Sequence, residues 1–138
     1  MNIQNKGLAL PVSRRFAESI ETLMAEPSEA CAAVTINFRY PSYSAEKGGF
    51  HPVEIRLERN DEAWTICYIT DFAYVGLGHF AELAKELDFD FSAGVFQTTY
   101  GVYPIESAAD IYQIWEGNFL YYWKTLDCYE VKISREQE

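Results

Sequence analysis

His51-Pro-Val-Glu-Ile-Arg-Leu-Glu-Arg-Asn-Asp-Glu-Ala-Trp-Thr-Ile-Cys-Tyr-Ile-Thr-Asp-Phe-Ala-Tyr-Val75 decides the fold. Val53, Ile55 and Leu57 alternate with Glu54, Arg56 and Glu58, the period of a half-buried strand. Asn60-Asp61 supplies a turn into a second strand over 63–75, so the two form an antiparallel hairpin. That second strand is apolar on both sides for much of its length, as a central strand is.

Upstream, Val34, Ile36 and Phe38 alternate with Thr35, Asn37 and Arg39, which adds a strand over 33–40. Before it, Phe16, Ala17, Ile20, Leu23 and Met24 recur at helical spacing behind the capping residue Ser13, with Glu18 and Glu21 outward and Pro27 as the stop. Downstream, Phe80, Leu83, Ala84 and Leu87 predict a short helix over 79–87. A strand over 94–103 follows, broken by Gly101 and ended by Pro104. A long helix runs from Ser107 to Lys124, a last strand spans 129–134, and 135–138 form a frayed tail. The order α-β-β-β-α-β-α-β, with strands joined by short turns, predicts an α+β fold. It is a single layer of mostly antiparallel sheet, about five strands, packed by two or three helices.

The 138 residues suit one domain, with an ordered core over about 8–134. Twenty-two aromatics give that core its bulk, so it needs neither disulfide nor metal. Cys31, Cys67 and Cys128 are odd in number and lack ligand spacing, which suits buried thiols in a reducing compartment. No basic leader with an apolar core and no membrane-length apolar run is seen, and a cytoplasmic location is expected.

Through Asn60, seven bases balance seven acids, whereas 61–138 holds fourteen acids against four bases. With no basic stripe to release counterions, direct nucleic-acid binding is excluded. Glu82, Glu86, Asp110, Glu116 and Glu130 fall at positions that the patterns turn toward solvent, where they read as a solubilising coat.

Short motifs give little chemistry. Gly76-Leu-Gly-His-Phe-Ala81 fits a dinucleotide fingerprint, but the expected helix is too short and the preceding strands are hairpins. Asp88, Asp90 and Ser92 start like a calcium loop, yet Ala93 stands where Gly is required and Thr99 where Glu is. No cofactor or metal is expected. Neither His51 nor His79 sits in a nucleophile or zinc-protease signature.

The loop Arg39-Tyr-Pro-Ser-Tyr-Ser-Ala-Glu-Lys-Gly-Gly-Phe-His51 is longer than a hairpin connection needs and unites aromatic and basic residues. On the long helix, apolar residues extend well beyond the stripe Ile111, Trp115, Phe119 and Tyr122, so that helix must be buried on most sides.

Three strings together resemble a known family: Asn37-Phe-Arg-Tyr-Pro-Ser-Tyr-Ser-Ala-Glu-Lys-Gly-Gly-Phe-His-Pro-Val-Glu-Ile-Arg56, Tyr68-Ile-Thr-Asp-Phe-Ala-Tyr-Val-Gly76, and Leu87-Asp-Phe-Asp-Phe-Ser-Ala-Gly-Val-Phe-Gln97. It is a family of small bacterial proteins catalogued only as a numbered domain of unknown function. The resemblance covers roughly 8–134 and implies a free-standing bacterial domain, some of whose relatives ride on mobile elements. It implies no activity and no catalytic residue.

The expected function is a non-enzymatic binding or adaptor domain that meets another protein, a second copy of itself being one option. Its expected contact residues are Arg39, Tyr40, Tyr43, Lys47, Phe50 and His51, with Asp71, Asp88 and Asp90 beside them. The first alternative is a small enzyme that uses His51 with Asp71, Asp88 or Asp90. The second is an acidic DNA mimic or anti-defence protein of a mobile element.

Overall fold

The computed structural model describes residues 1–25, 27, 30–76 and 78–137. Leu77, inside the Gly76–Ala81 motif, and Glu138, at the end of the expected tail, lie outside them. Helix α1 (Arg14–Met24) starts as expected, with Ser13 Oγ accepting the Phe16 N–H at 3.1 Å. Strands β1 (Cys31–Arg39), β2 (Val53–Asn60) and β3 (Ala63–Val75) form the expected meander. Asp61 takes the positive φ of the β2–β3 turn, at 59°, a conformation short polar side chains tolerate.

The region after β3 departs from expectation. Instead of a helix over 79–87, a single 3₁₀ turn (Gly78–Phe80) leads into strand β4 (Glu82–Asp90), which pairs with β3. Glu, Leu, Ala and Lys favour helix intrinsically, but pairing with the central strand overrides that preference. The expected strand over 94–103 is a hairpin, β5 (Val95–Thr98) and β6 (Gly101–Pro104).

The long helix is in three parts: a 3₁₀ turn (Ile105–Ala108), helix α2 (Ala109–Leu120) and a π turn (Tyr121–Thr125). Ser107 is not its cap; its hydroxyl donates to the Pro104 carbonyl at 2.6 Å. Strand β7 (Glu130–Gln137) continues through 135–137, which pair with β1 rather than fray.

Among the described residues the fold is therefore α+β with one antiparallel sheet, but of seven strands and two α-helices. The strand order is β6-β5-β4-β3-β2-β1-β7, which puts β3 in the middle. One face carries the core. Val34, Ile36 and Phe38 of β1, Val53, Ile55 and Leu57 of β2, and Trp64, Ile66 and Ile69 of β3 are buried there with Phe16 and Ile20 of α1 and Tyr112 and Phe119 of α2. Aromatic rings join the layers: Phe119 lies 5.0 Å from Phe38 and 6.1 Å from Phe16. The opposite face presents the alternate residues, among them Glu54, Arg56, Tyr68, Thr70, Asp88 and Asp90.

Helix α2 is less enclosed than expected, since Ile114 is 68% and Ile111 45% exposed. Glu116 departs in the other direction. It is buried rather than part of a surface coat, and its Oε2 accepts the Tyr112 hydroxyl at 2.7 Å and the Ser13 N–H at 3.0 Å. The Gly76–Ala81 segment only links two antiparallel strands, so no helix start is available to hold a pyrophosphate.

Candidate functional site

Pro52 fixes where the long loop rejoins the sheet: its carbonyl accepts the Phe72 N–H at 2.9 Å. Val53 then pairs with Asp71, so His51 is delivered beside the Asp71 side chain on the helix-covered face. His51 Nδ1 lies 2.8 Å from Asp71 Oδ1 and 2.8 Å from Glu86 Oε2.

Glu86 reaches this point because of a β-bulge. Asp71 pairs with Leu87 and Phe72 with Lys85, leaving Glu86 as the extra residue of β4. Bulges commonly re-aim one side chain in this way. Asp71 is the buried member of the group, and its other oxygen, Oδ2, accepts the Trp115 indole N–H at 2.9 Å. From the other side, the Tyr129 hydroxyl donates to the His51 carbonyl at 3.0 Å.

Four segments thus hold one imidazole: the loop before β2, strands β3 and β4, and helix α2. The hydrogen bond to Asp71 raises the His51 pKa above its ordinary value of 6.5; partial burial opposes the shift, and the charges of Asp71 and Glu86 reinforce it. The ring is therefore held toward its protonated form, and with Nδ1 committed to carboxylates, Nε2–H is the donor left for a ligand.

Beside this cluster a cleft of about 410 Å³ is lined by Gly49, Phe50, His51, Val53, Asp71, Trp115, Asn118, Phe119, Tyr122 and Tyr129. Its walls are aromatic. Phe50 packs on Tyr122 at 4.8 Å, and Trp115 stacks on Phe119 at 5.0 Å. Among the described residues the lining contains no Lys, Arg, Ser, Thr or Cys.

The expected site residues divide into separate groups. Phe50, His51 and Asp71 meet at the cleft. Arg39, Tyr40 and Tyr43 line a second hollow of about 620 Å³ with Asn37, Glu54, Phe72 and Tyr74. Tyr43 still touches the first group, its ring 5.5 Å from His51, while its hydroxyl accepts the Tyr74 N–H at 3.0 Å. Lys47 is exposed at the loop tip, beside the turn closed by Ser44 and Gly48.

Asp88 and Asp90 follow strand alternation onto the opposite face. There Asp88 accepts the Thr70 hydroxyl at 2.8 Å and lies 3.5 Å from Lys85 Nζ, and Asp90 Oδ1 accepts the Ala93 N–H at 2.9 Å. His51 thus meets Asp71 and not the other two.

Sequence reasoning missed Glu86, Trp115 and Tyr129 as members of this site. The alternation Leu87-Asp-Phe-Asp marks a strand beside β3, but it would send Glu86 to the face of Asp88 and Asp90; only the bulge turns it toward His51. Burial pushes the Cys67 thiol up to about 11 and raises that of Cys128, which lowers their thiolate fraction, and neither lines the cleft.

The molecule is an α+β domain with one sheet face packed by helices and a histidine–dicarboxylate cluster at the end of that core. It belongs to the family described as protein of unknown function DUF2787, whose signature spans residues 14–134.

Two solved structures from Vibrio cholerae are similar to it throughout. One is a hypothetical protein from the VSP-II pathogenicity island, 37% identical, covering 98% of this chain and 100% of its own, with a TM-score of 0.84. The other is a conserved hypothetical protein from pathogenicity island VPI-2, 44% identical, covering 94% of this chain and 98% of its own, with a TM-score of 0.82. The second is described as sharing structural homology with the human P32 protein. No curated protein matches the chain. Among the described residues, no helix is long and apolar enough to cross a membrane.

Proposed function

We propose that the protein is a non-enzymatic binding domain that receives a segment of a partner protein in the cleft beside His51. The observation that carries this reading is the pairing of aromatic walls with a pre-oriented polar end, His51 held by Asp71. Ligand sites combine these features: apolar surface supplies affinity, and a few fixed polar groups supply orientation. The Phe50–Tyr122 and Trp115–Phe119 walls suit an apolar side chain, while His51 Nε2–H and the Asn118 amide suit its peptide carbonyl. The end of the 39–51 loop forms one rim, consistent with the aromatic loop being the contact surface. Two carboxylates against one imidazolium leave this end net negative, which favours a neutral or basic segment over an acidic one.

The His51–Asp71 geometry also suits an acid–base pair, and this favours the enzyme as second reading. None of the lining residues is Ser, Thr, Cys or Lys, and Asp71, the carboxylate of the lining, already accepts from Trp115 and pairs with His51. The bond to Asp71 raises the His51 pKa, which shifts the ring toward its acid form.

The test is an NMR titration of the full chain with N-acetylated dipeptide amides bearing aromatic, aliphatic, basic or acidic side chains. Saturable shifts at Phe50, His51, the Trp115 indole and Tyr122, lost in Phe50→Ala, are expected for neutral or basic members. Shifts confined to the opposite sheet face, or no saturable shift with any member, would overturn the reading.

A further inference from the structure

We propose that His51, Asp71 and Glu86 form a binding site for a divalent transition-metal ion, with zinc as the best fit, against the sequence expectation of no metal. The inference goes beyond the cleft reading and does not depend on a peptide binding there.

The first reason is convergence. The three potential ligand atoms lie within 4.8 Å of one another, and His51 Nδ1 is 2.8 Å from an oxygen of each carboxylate. Tetrahedral zinc bonds of about 2.0–2.2 Å to nitrogen and oxygen place neighbouring ligand atoms about 3.3–3.6 Å apart. Small side-chain adjustments therefore open the group around an ion.

The second reason is charge. A single Nδ1–H lies between two carboxylates and cannot make two full hydrogen bonds. With imidazolium the trio carries a net negative charge, whereas neutral imidazole, two carboxylates and a dication sum to zero. The ion would take the place of the Nδ1 proton, which passes to solvent, and Nε2–H would remain a donor toward the cleft.

The third reason is orientation of the would-be ligands by a further set of partners. Asp71 Oδ2 is occupied by the Trp115 indole, and the His51 backbone is held by Tyr129. Such outer hydrogen bonds are the usual accompaniment of metal ligands, because they fix the rotamer and tautomer that the ion needs. The bulge that supplies Glu86 is a fourth, independent feature of the same point.

The donor set selects the ion. Imidazole with two carboxylates suits zinc and its first-row neighbours; magnesium and calcium prefer all-oxygen shells, and copper(I) prefers sulfur. Three protein ligands beside an open cleft leave a position for water or a ligand atom, the arrangement of an open rather than a closed structural site.

The experiment is calorimetric titration of the chelator-treated full chain with zinc chloride under reducing conditions, paired with histidine ¹⁵N NMR. One zinc per chain is expected, with a coordination shift at His51 Nδ1 and none at His79. Glu86→Gln, at a half-exposed position, should keep the melting temperature of the metal-free protein and weaken zinc at least tenfold. His79→Ala should bind as the parent does. Calcium or magnesium binding as tightly as zinc, an unshifted His51 Nδ1 at saturation, or undiminished binding in Glu86→Gln would each overturn the proposal. Zinc binding in a protein that ignores every dipeptide would refute the cleft reading alone.

Discussion

Trp115→Phe tests whether the indole N–H is what holds the Asp71 side chain in place inside the core. The Asp71 side chain is 11% exposed, and the Trp115–Asp71 bond is buried at 2.9 Å. Phenylalanine retains the stacking position on Phe119 but removes the donor, leaving a carboxylate oxygen in a site with little water. A hydrogen bond to a charged group contributes about 1.5–3 kcal/mol. The smaller ring adds a cavity cost of about 1 kcal/mol. The expected loss is therefore about 3 kcal/mol, or roughly 10 °C in melting temperature for a domain of this length. Urea denaturation followed by circular dichroism measures it, with an unchanged m value certifying a comparable unfolding transition. A double-mutant cycle with Asp71→Ala isolates the pair, because the cavity and His51 contributions largely cancel. The expected coupling is about 1.5–3 kcal/mol. A coupling under about 0.5 kcal/mol, the usual scatter of independent sites, would refute the claim that Trp115 holds the carboxylate.

Two further perturbations probe the frame around the site. Glu116→Ala should cost about 3 kcal/mol, since it strands the buried Tyr112 hydroxyl and the Ser13 N–H, while Glu116→Gln should cost under about 1 kcal/mol because both bonds go to one oxygen; equal losses in the two variants by urea denaturation would contradict this. Gly76→Ala should destabilise by about 2–3 kcal/mol, from a φ of +92° and a Cβ 2.8 Å from the Phe80 carbonyl oxygen, whereas Gly78→Ala, with open space around its Cβ, should cost about 1 kcal/mol. Thermal melts of the pair that coincide would show that the close approach is relieved by movement of the turn.

What the sequence reveals is set by which interactions decide each element. The β2–β3 hairpin is legible because side-chain alternation and a local turn specify it without reference to other segments. Helix α1 is legible because Ser13, its apolar spacing and its end are also local. Strand β4 is not, because Glu82, Leu83, Ala84 and Lys85 favour helix and only pairing with β3 makes them extended. The error spread to the site: with β4 read as helix, Glu86 falls on a solvent-facing position, and no pattern announces a bulge of one residue. His51 and Asp71 stood out individually as residues at element ends. Their meeting depends on the Val53–Asp71 register, which the turn alone would not give: a one-residue shift at Arg56/Leu57 replaces Thr70 with Asp71 opposite Val53. Asp88 and Asp90 look equivalent to Asp71 in sequence, and it is the pleat of β4 that sends them to the other face.

The placement of Asp71 bears on why the cluster exists. Along β3 the helix-covered face reads Trp64, Ile66, Ile69, Asp71 and Ala73, so a carboxylate interrupts an otherwise apolar series. Burying it is costly, and replacing buried ion pairs with well-packed apolar residues is often neutral or stabilising. Stability alone would therefore accept an apolar set in place of the whole group, although not the loss of Asp71 with its partners left in place. The fold instead surrounds Asp71 with an indole donor, an imidazole and a second carboxylate that only a bulge can deliver. Three departures from a plain core, namely a buried charge, a broken strand register and two acids on one imidazole nitrogen, coincide at the mouth of an aromatic cleft. Local departures from fold rules that meet at one accessible point are what the proposed binding site would require. That argument predicts an asymmetry. Asp71→Leu with Glu86→Gln should fold at least as stably as Asp71→Ala alone while losing zinc; a double variant that kept zinc would show that the cluster serves the fold, and one that kept dipeptide binding would count against the polar end of the cleft reading alone.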